Sequence, residues 1–411
     1  MERIRNFIRF IVDSAKHVAS GNRYYYAWVG FLLAIMAGGA VAYASQINHG
    51  LIVTSMRDQV SWGFYIGNFT FLVGVAAAAI MLVIPAYVYE WEPIKEVTIL
   101  GEILAIAALL MCFGFVTVDI GRPDRVWHIT PLVGTFNFPS SLLAWDVVAL
   151  NGYLLLNWIV VTYMLYCAYT GRHYRKGIVY PLVLLSIPMA VSIHTVTAYL
   201  FNGLAARPFW NVSILAPKFL ASAFCSGPAI MMIIFQVIRK VSKIEIDNKA
   251  IFKIAELVAY AMGINLFLLA AEFFKEFYSG SVHLAPMEYL YFGLHGHTTL
   301  VPWMWTAMIF NITAFILFIS PATRENFLTL NLACVLICIG VYIEKGMGLS
   351  VPGFVPSTLG EIYEYSPTLI EKLVSLGIWS TGALVFTLLV KFAMPVYTGE
   401  VRFYSKHGAV R

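Results

Sequence analysis

Ten stretches of this chain are apolar for as long as a helix needs to cross a bilayer, and that requirement fixes the solvent in which it folds. Roughly 20 predominantly apolar residues are needed to span the hydrocarbon. Segments near 24–48, 63–89, 97–119, 142–169, 177–201, 219–238, 254–278, 300–320, 326–344 and 369–393 meet it and are numbered here as spans 1 to 10. Hydrophobic residues make up 60% of the chain and charged residues 12%, whereas a soluble domain is about half apolar and about a quarter charged. No soluble fold of this length hides so much apolar side chain. The expected fold class is an all-α integral membrane protein of about ten transmembrane helices, with the membrane domain at 24–393. Residues 1–23 carry five Lys/Arg but neither a long apolar core nor a small-residue cleavage site. They read as an amphipathic segment on the cytoplasmic face, and 394–411 as a cytoplasmic tail.

Positive charge chooses the orientation. With the N-terminus in the cytoplasm, 19 of the 27 Lys/Arg fall on that side, among them Arg3, Lys243, Lys406 and Arg411. The other eight, Arg57, Arg122, Arg125, Arg207, Lys218, Lys275, Lys345 and Lys372, lie outside or near outer helix ends. The expectation is a multi-pass protein of the cytoplasmic membrane with both termini inside. Its external connections, 120–141, 202–218, 279–299 and 345–368, are then the long ones, rich in Pro, Gly and aromatics. Long ordered loops carry function, which makes the outer face the expected working face. A short internal match, Ser140-Ser141-Leu142-Leu143-Ala144-Trp145 against Thr298-Thr299-Leu300-Val301-Pro302-Trp303, opens spans 4 and 8. It suggests two parallel four-helix units, spans 2–5 and 6–9.

Several chemistries are missing. There is no phosphate-binding loop, dinucleotide fingerprint or nucleophile elbow. Cys112, Cys167, Cys225, Cys334 and Cys338 all lie within spans and none forms Cys-x-x-Cys, which disfavours iron–sulfur clusters and c-type haem. Haem b needs axial ligands from facing helices, yet only His194 sits well inside a span. His17, His173 and His407 are assigned to the inner face; His49, His128, His283, His295 and His297 lie at or beyond the outer boundary. The chain is expected to bind no haem, iron–sulfur cluster or metal, and to have lipid and protein partners but no nucleic acid.

A charged group at mid-membrane costs roughly 2.5–3.5 kcal/mol on insertion scales, so each one needs a reason. Asp119 closes span 3, Asp146 lies about a turn inside span 4 and His194 lies within span 5. Glu272 and Glu276 share a face of span 7, and repulsion between two such carboxylates, with Lys275 beside them, suits proton storage. These five form a candidate proton relay. Lys218 is assigned to the start of span 6. Glu344–Lys345 and Asp124–Arg125 read as structural ion pairs near the interface.

The expected ligand pocket is the outer mouth between spans 2 and 4. Trp62, Tyr65 and Asn68 open span 2, Arg122, Arg125, Trp127, His128 and Asn137 come from the 3–4 connection, and Trp145 and Asp146 open span 4. An aromatic cleft with a few polar donors suits a flat molecule with an apolar tail. A quinone headgroup also needs a titratable neighbour as it is reduced, a part open to His128 and Asp146. An interfacial aromatic belt would by itself account for Trp62 and Trp127.

The stretch VDIGRPDRVWHITPLVGTFNFPSSLLAWD and the small-residue run Leu72-Val73-Gly74-Val75-Ala76-Ala77-Ala78 resemble the NrfD/PsrC family. SIHTVTAYLFNGLAARPFWNVSILAPKFLASAFCSGPA and YIEKGMGLSVPGFVPSTLGEIYEYSPTLIEKLVSLGIW resemble its ten-helix HmcC/DsrP branch, nearest the DsrP-type subunit of DsrMKJOP complexes, over spans 1–10. The resemblance implies a subunit without prosthetic groups that binds exchangeable menaquinone near the external face, beside a docked DsrO-like iron–sulfur subunit of the ferredoxin type. It implies a haem b membrane subunit, a haem c subunit and a cytoplasmic iron–sulfur subunit in the same complex. It carries the pocket onto Trp62, Asn68, Arg122, His128 and Asp146, and the proton route onto Asp119, His194, Glu272 and Glu276. Some relatives have a histidine on the helix corresponding to span 2, where this chain has Asn68 or Phe69. A secondary transporter or ion-conducting subunit without redox role is the alternative, and a passive anchor for an external enzyme is a third.

Overall fold

A computed structural model describes residues 2–95, 97–131, 133–242, 244, 246–281, 284–357 and 359–403. Lys243, His283 and the tail residues Lys406, His407 and Arg411, named above on the sequence, lie outside these, and so does the side chain of Arg3. Ten helices among the described residues are long and apolar enough to cross a membrane. They are span 1 (Arg23–His49), span 2 (Phe64–Val88), span 3 (Thr98–Asp119), span 4 (Leu142–Tyr169), span 5 (Lys176–Asn202), span 6 (Leu215–Val241), span 7 (Asn248–Ser279), span 8 (Val301–Ile319), span 9 (Phe327–Lys345) and span 10 (Leu369–Tyr397).

Polar caps set many of the starts. Asn22, Ser141, Asp247 and Asn326 each accept a hydrogen bond from a backbone N–H of the first turn. Thr368 and Glu371 form a reciprocal capping box at span 10, satisfying donors that have no partner within the helix. Span 2 is the irregular one. Its α-helix loosens after Ala77 and passes into a π-turn at Ile84–Val88, around Pro85, whose ring nitrogen cannot donate.

Spans 2–5 close into one ring and spans 6–9 into a second. In the first, span 2 packs on spans 3 and 5, span 3 on span 4, and span 4 on span 5. In the second, spans 6, 7, 8 and 9 repeat those neighbours in the same order. The two parallel units expected from the short sequence match are therefore present. Spans 2 and 4 lie across their ring from each other and are not packed side by side. Spans 3 and 5 come between them, so the expected mouth is not formed by spans 2 and 4 as neighbours.

The units meet where span 6 packs on spans 2 and 5. A Cβ on Gly227 would lie 2.2 Å from Ala78 Cβ and 3.1 Å from the Gly74 carbonyl oxygen. Lipid gives helices no hydrophobic incentive to pair, and small residues supply close van der Waals contact instead. Spans 1 and 10 pair outside the first unit by the same device. A Cβ on Gly39 would come within 2.6 Å of Gly377 Cα, and Ser380 Oγ donates to the Leu32 carbonyl.

The amphipathic N-terminal helix (Glu2–Ala19) packs along spans 10 and 4. The Arg9 guanidinium sits 5.2 Å from the Phe403 ring centre, and Tyr169 donates to Asp13. Residues 2 and 403 thus belong to one end of the bundle, the terminal end. The long connections gather at the opposite, loop end. There Trp210 is fully buried among Trp62, Phe201 and Phe354 and donates to the Leu349 carbonyl. Gly353 lies so close to the Trp210 indole that no side chain fits between them.

Candidate functional site

The loop end of the first unit holds most of the residues expected to bind a ligand, but divides them into groups. Trp127 and His128 lie on a short 3₁₀ turn with ring centres 3.9 Å apart, and both are exposed. The Thr135 N–H donates to the His128 carbonyl, and from there Phe136, Phe138 and Trp145 continue as a row of rings, the last two 4.5 Å apart. The Trp145 indole donates to the Pro139 carbonyl. These two groups of rings form the aromatic ledge of residues 123–131 and 133–145, at the loop end of the first unit.

Arg122 does not point into a cleft. It makes two hydrogen bonds to Asp124, at 3.0 and 2.8 Å, in full solvent. These bonds hold Asp124 below the ordinary carboxylate range. The Asp124–Arg125 ion pair expected from the sequence is replaced by this one, because the planar guanidinium of Arg122 can meet the carboxylate with two parallel bonds.

Asp146 follows Trp145 on span 4 but faces inward and is buried, its Oδ1 accepting from Thr197 at 2.9 Å. Trp62 belongs to the aromatic plug around Trp210. Tyr65 donates to Gln46, whose amide in turn donates to the Val118 carbonyl. Asn68 accepts from both Tyr342 and Trp379, at 2.9 and 2.8 Å, and donates to the Phe64 carbonyl. The polar atoms of Tyr65 and Asn68 thus join spans 1, 2, 3, 9 and 10. Asp119, at the loop end of span 3, keeps a buried Oδ1 without a hydrogen-bond partner among the described residues.

The second unit holds a cluster that sequence reasoning does not assemble. Lys218 Nζ lies 2.7 Å from Glu272 Oε2 and 3.8 Å from Glu344 Oε1. Glu344 Oε2 also accepts from Asn311 at 3.1 Å and Asn265 at 3.4 Å. Asn311 reaches inward because Gly340 faces it; a Cβ there would overlap its amide. Lys345 is buried too, its ammonium 3.8 Å from the centre of the Phe219 ring. A cavity of about 20 Å³, room for a water or two, lies between Lys218, Glu272, Glu344 and Lys345.

Glu344 and Lys345 are therefore not an interfacial ion pair with each other; consecutive helical residues do not face one another. Glu272 and Glu276 do not share a cation either. Glu276 is served by Lys275 at 2.9 Å and by the Ser281 hydroxyl at 3.0 Å. The missed signal was the occurrence of opposite charges at the loop ends of spans 6, 7 and 9, all in one unit.

His194 lies at the seam between the units. Its Nδ1 is 3.1 Å from the Ala190 carbonyl, and its buried Nε2 has no hydrogen-bond partner among the described residues. No group of three or more His, Cys, Asp or Glu able to hold a metal occurs among the described residues.

A ten-helix bundle with two parallel units, buried ionisable groups and an ordered loop end defines the class: a polytopic membrane protein with a polar interior. The chain belongs to the polysulphide reductase NrfD family, whose model matches residues 52–347. It is 25% identical to a protein of Halobacterium salinarum assigned as the membrane component of a dimethyl sulfoxide reductase, over 87% of this chain and 88% of the relative. It is 23% identical to an Hdr-like menaquinol oxidoreductase integral membrane subunit of Archaeoglobus fulgidus, over 92% and 95%. It is 21% identical to a menaquinone reductase integral membrane subunit of Nitratidesulfovibrio vulgaris, over 92% and 93%.

Proposed function

We propose that this protein is the quinone-interacting membrane subunit of a multi-subunit redox complex, and that it works on menaquinone at the aromatic ledge of the first unit. The observation that carries this is the likeness, over nine-tenths of both chains, to integral membrane subunits named for menaquinol oxidation and menaquinone reduction. The ledge supports it with largely exposed aromatic rings at a helix-bundle end, against which a quinone ring can lie with its tail in lipid.

A bound quinone supplies two-electron, two-proton chemistry. The chain's own part is to hold the ring against Trp145, place the His128 imidazole at its edge and offer Asp146 below as a buried proton acceptor, steadied by Thr197. Arg122 fixes the turn that opens the ledge through its bonds to Asp124, and Trp62 acts through the aromatic plug around Trp210. Tyr65 and Asn68, with their polar atoms engaged, position the helices beneath. Asp119, His194, Glu272 and Glu276 carry protons away from the site, and the Lys218–Glu344 cluster extends that route.

The loop end faces outward in this reading, with both termini in the cytoplasm. A DsrO-like iron–sulfur subunit docks on it, and haem b, haem c and cytoplasmic iron–sulfur subunits complete a DsrP-type complex of dissimilatory sulfur metabolism. Ion conduction without redox chemistry is the competing function, favoured by the charged cluster of the second unit. Menaquinol-dependent electron transfer by the purified complex separates the two. We expect Asp146→Asn and His128→Gln to lower that rate at least about a hundredfold, the low end of what general acid–base groups contribute, with subunit assembly intact. Unchanged rates in both variants would reject the ledge, and absence of any quinol-dependent transfer in the unaltered complex would reject the function.

A further inference from the structure

Below the ledge, at the seam of the two units, a second cavity of about 10 Å³ lies between spans 2, 5, 6 and 9. That is at the threshold for a single water molecule. Its wall includes His194, Lys345, Thr70, Ser222, Ser226 and Phe219. Thr70 donates to the Lys345 carbonyl at 2.7 Å, Ser222 to the Lys218 carbonyl and Ser226 to the Ser222 carbonyl. Each hydroxyl therefore keeps a lone pair for another donor. His194 is 1% exposed; with Nδ1–H given to the Ala190 carbonyl, its Nε2 presents a bare lone pair. A buried polar atom without a partner is costly, and this corner is polar, enclosed and, among the described residues, short of one donor.

We propose that this cavity holds one structural water, which donates to His194 Nε2 and accepts from the Lys345 ammonium, and that this water is the proton bridge between the units. Lys345 lines both cavities, so it joins the seam to Lys218, Glu272 and Glu344 of the second unit. His194 joins it to the first, since Thr197, the Asp146 partner, is three residues further along the same helix face. The ionisable groups about the bridge are Lys345 and Glu344 from span 9, Lys218 and Cys225 from span 6, Glu272 from span 7 and Asp146 from span 4. Span 2 contributes only Thr70, Phe71 and Gly74.

The transfer balances without any redox partner. One N–H bond of the Lys345 ammonium breaks as the water oxygen takes that proton, and the water passes another of its protons to Nε2. A neutral amine and an imidazolium remain, with the total charge unchanged. The Phe219 ring against the ammonium keeps Lys345 between the two cavities. Use of the bridge in quinol turnover rests on the function proposed above; the water site does not.

Water-edited solid-state NMR on the full-length chain in lipid vesicles, with ¹⁵N-labelled histidine and no quinone added, tests the site directly. His194→Asn identifies the resonance. The expected result is an unprotonated Nε2 that receives magnetisation from water, and a changed Nε2 shift in Lys345→Met. Gly74→Ala supplies a second variant that removes no titratable group. Its methyl enters beside the cavity with Ala223 Cα at 3.5 Å and Ser226 Oγ at 3.9 Å, both ordinary contacts. It should abolish the water transfer while leaving thermal stability near that of the parent. A His194 Nε2 signal without water transfer in the parent, or transfer unaltered in Gly74→Ala, would overturn the proposal. Because no quinone is present, neither outcome depends on whether the ledge binds one.

Discussion

The two four-helix units share a ring of packing but differ in how they bury charge. The first unit buries Asp146 and Glu102 without a lysine or arginine among its buried residues. Asp146 is held by a threonine hydroxyl, and Glu102 leaves its Oε2 without a hydrogen-bond partner among the described residues. The second unit buries Glu272, Glu276 and Glu344, and gives each of them an ammonium from Lys218 or Lys275. Lone buried acids are poor structural elements, because desolvation is repaid by no counter-charge. Paired ones hold helices in register and are costly to break. In the function proposed above, exchange chemistry falls chiefly to the first unit, and the second is a charged frame that protons enter through Lys345.

The largest effect should come from removing one charge of that frame. Lys218→Met would leave Glu272 and Glu344 facing each other with their shared cation gone. Loss of one partner of a buried pair costs about 3–5 kcal/mol, so we expect a large drop in the unfolding midpoint of the purified protein, or failure to accumulate in the membrane. Asp146→Asn in the first unit keeps the shape and the oxygen that accepts from Thr197. Its stability should change by under about 1 kcal/mol, the worth of one neutral hydrogen bond, although turnover falls. Equal destabilisation by the two substitutions would erase the distinction between the units.

The next effect lies at the seam. Gly227→Ala places a methyl 2.2 Å from Ala78 Cβ, and since both groups belong to helix cores, the units must move apart. Overpacking of this kind costs about 1–3 kcal/mol, read from the same unfolding measurement. A neutral result would mean that the units slide on each other and that the contact at Gly227 does not fix their spacing.

The helices could be read from the sequence because hydrocarbon imposes one rule, length and apolarity, on every span. Where boundaries shifted, charge was the cause. Span 7 begins at Asn248 and not near 254, since its first turns carry Lys249, Lys253 and Glu256 at the terminal end. Span 6 begins at Leu215 and not near 219, since Lys218 lies within the helix. Taking Lys218 for a boundary residue concealed the cluster it organises. Partnership is a tertiary fact: Asn68 meets Tyr342 and Trp379 across more than 270 positions of chain, and no local pattern announces it. Trp127, His128 and Trp145 were legible as candidates for the opposite reason, as they lie close together in sequence along the 3–4 connection and the start of span 4.

The smallest effect compares the loop ends themselves. The first unit carries the solvent-exposed Arg122–Asp124 pair, which screening makes worth little. The second carries Glu364, partly buried, with Oε1 accepting from the Thr299 N–H at 3.1 Å and Oε2 lying 3.7 Å from His297. Burial alone would raise the pKa of Glu364, but the Thr299 hydrogen bonds and His297 outweigh it and hold the group below its ordinary range. A depressed folded value stabilises only while the carboxylate is charged. The contact is thus complete above the unfolded pKa of about 4.3 and is lost as pH falls through the lower, folded value. Amide hydrogen exchange at Thr299, corrected for the intrinsic pH dependence, should stay protected from pH 7 down to about 4.3 and lose protection as pH falls through the lower, folded value, while Glu364→Gln flattens the profile. A matching loss in the 122–124 turn over the same window would mean that the loop end melts as one unit, and that the two halves do not hold their loops independently.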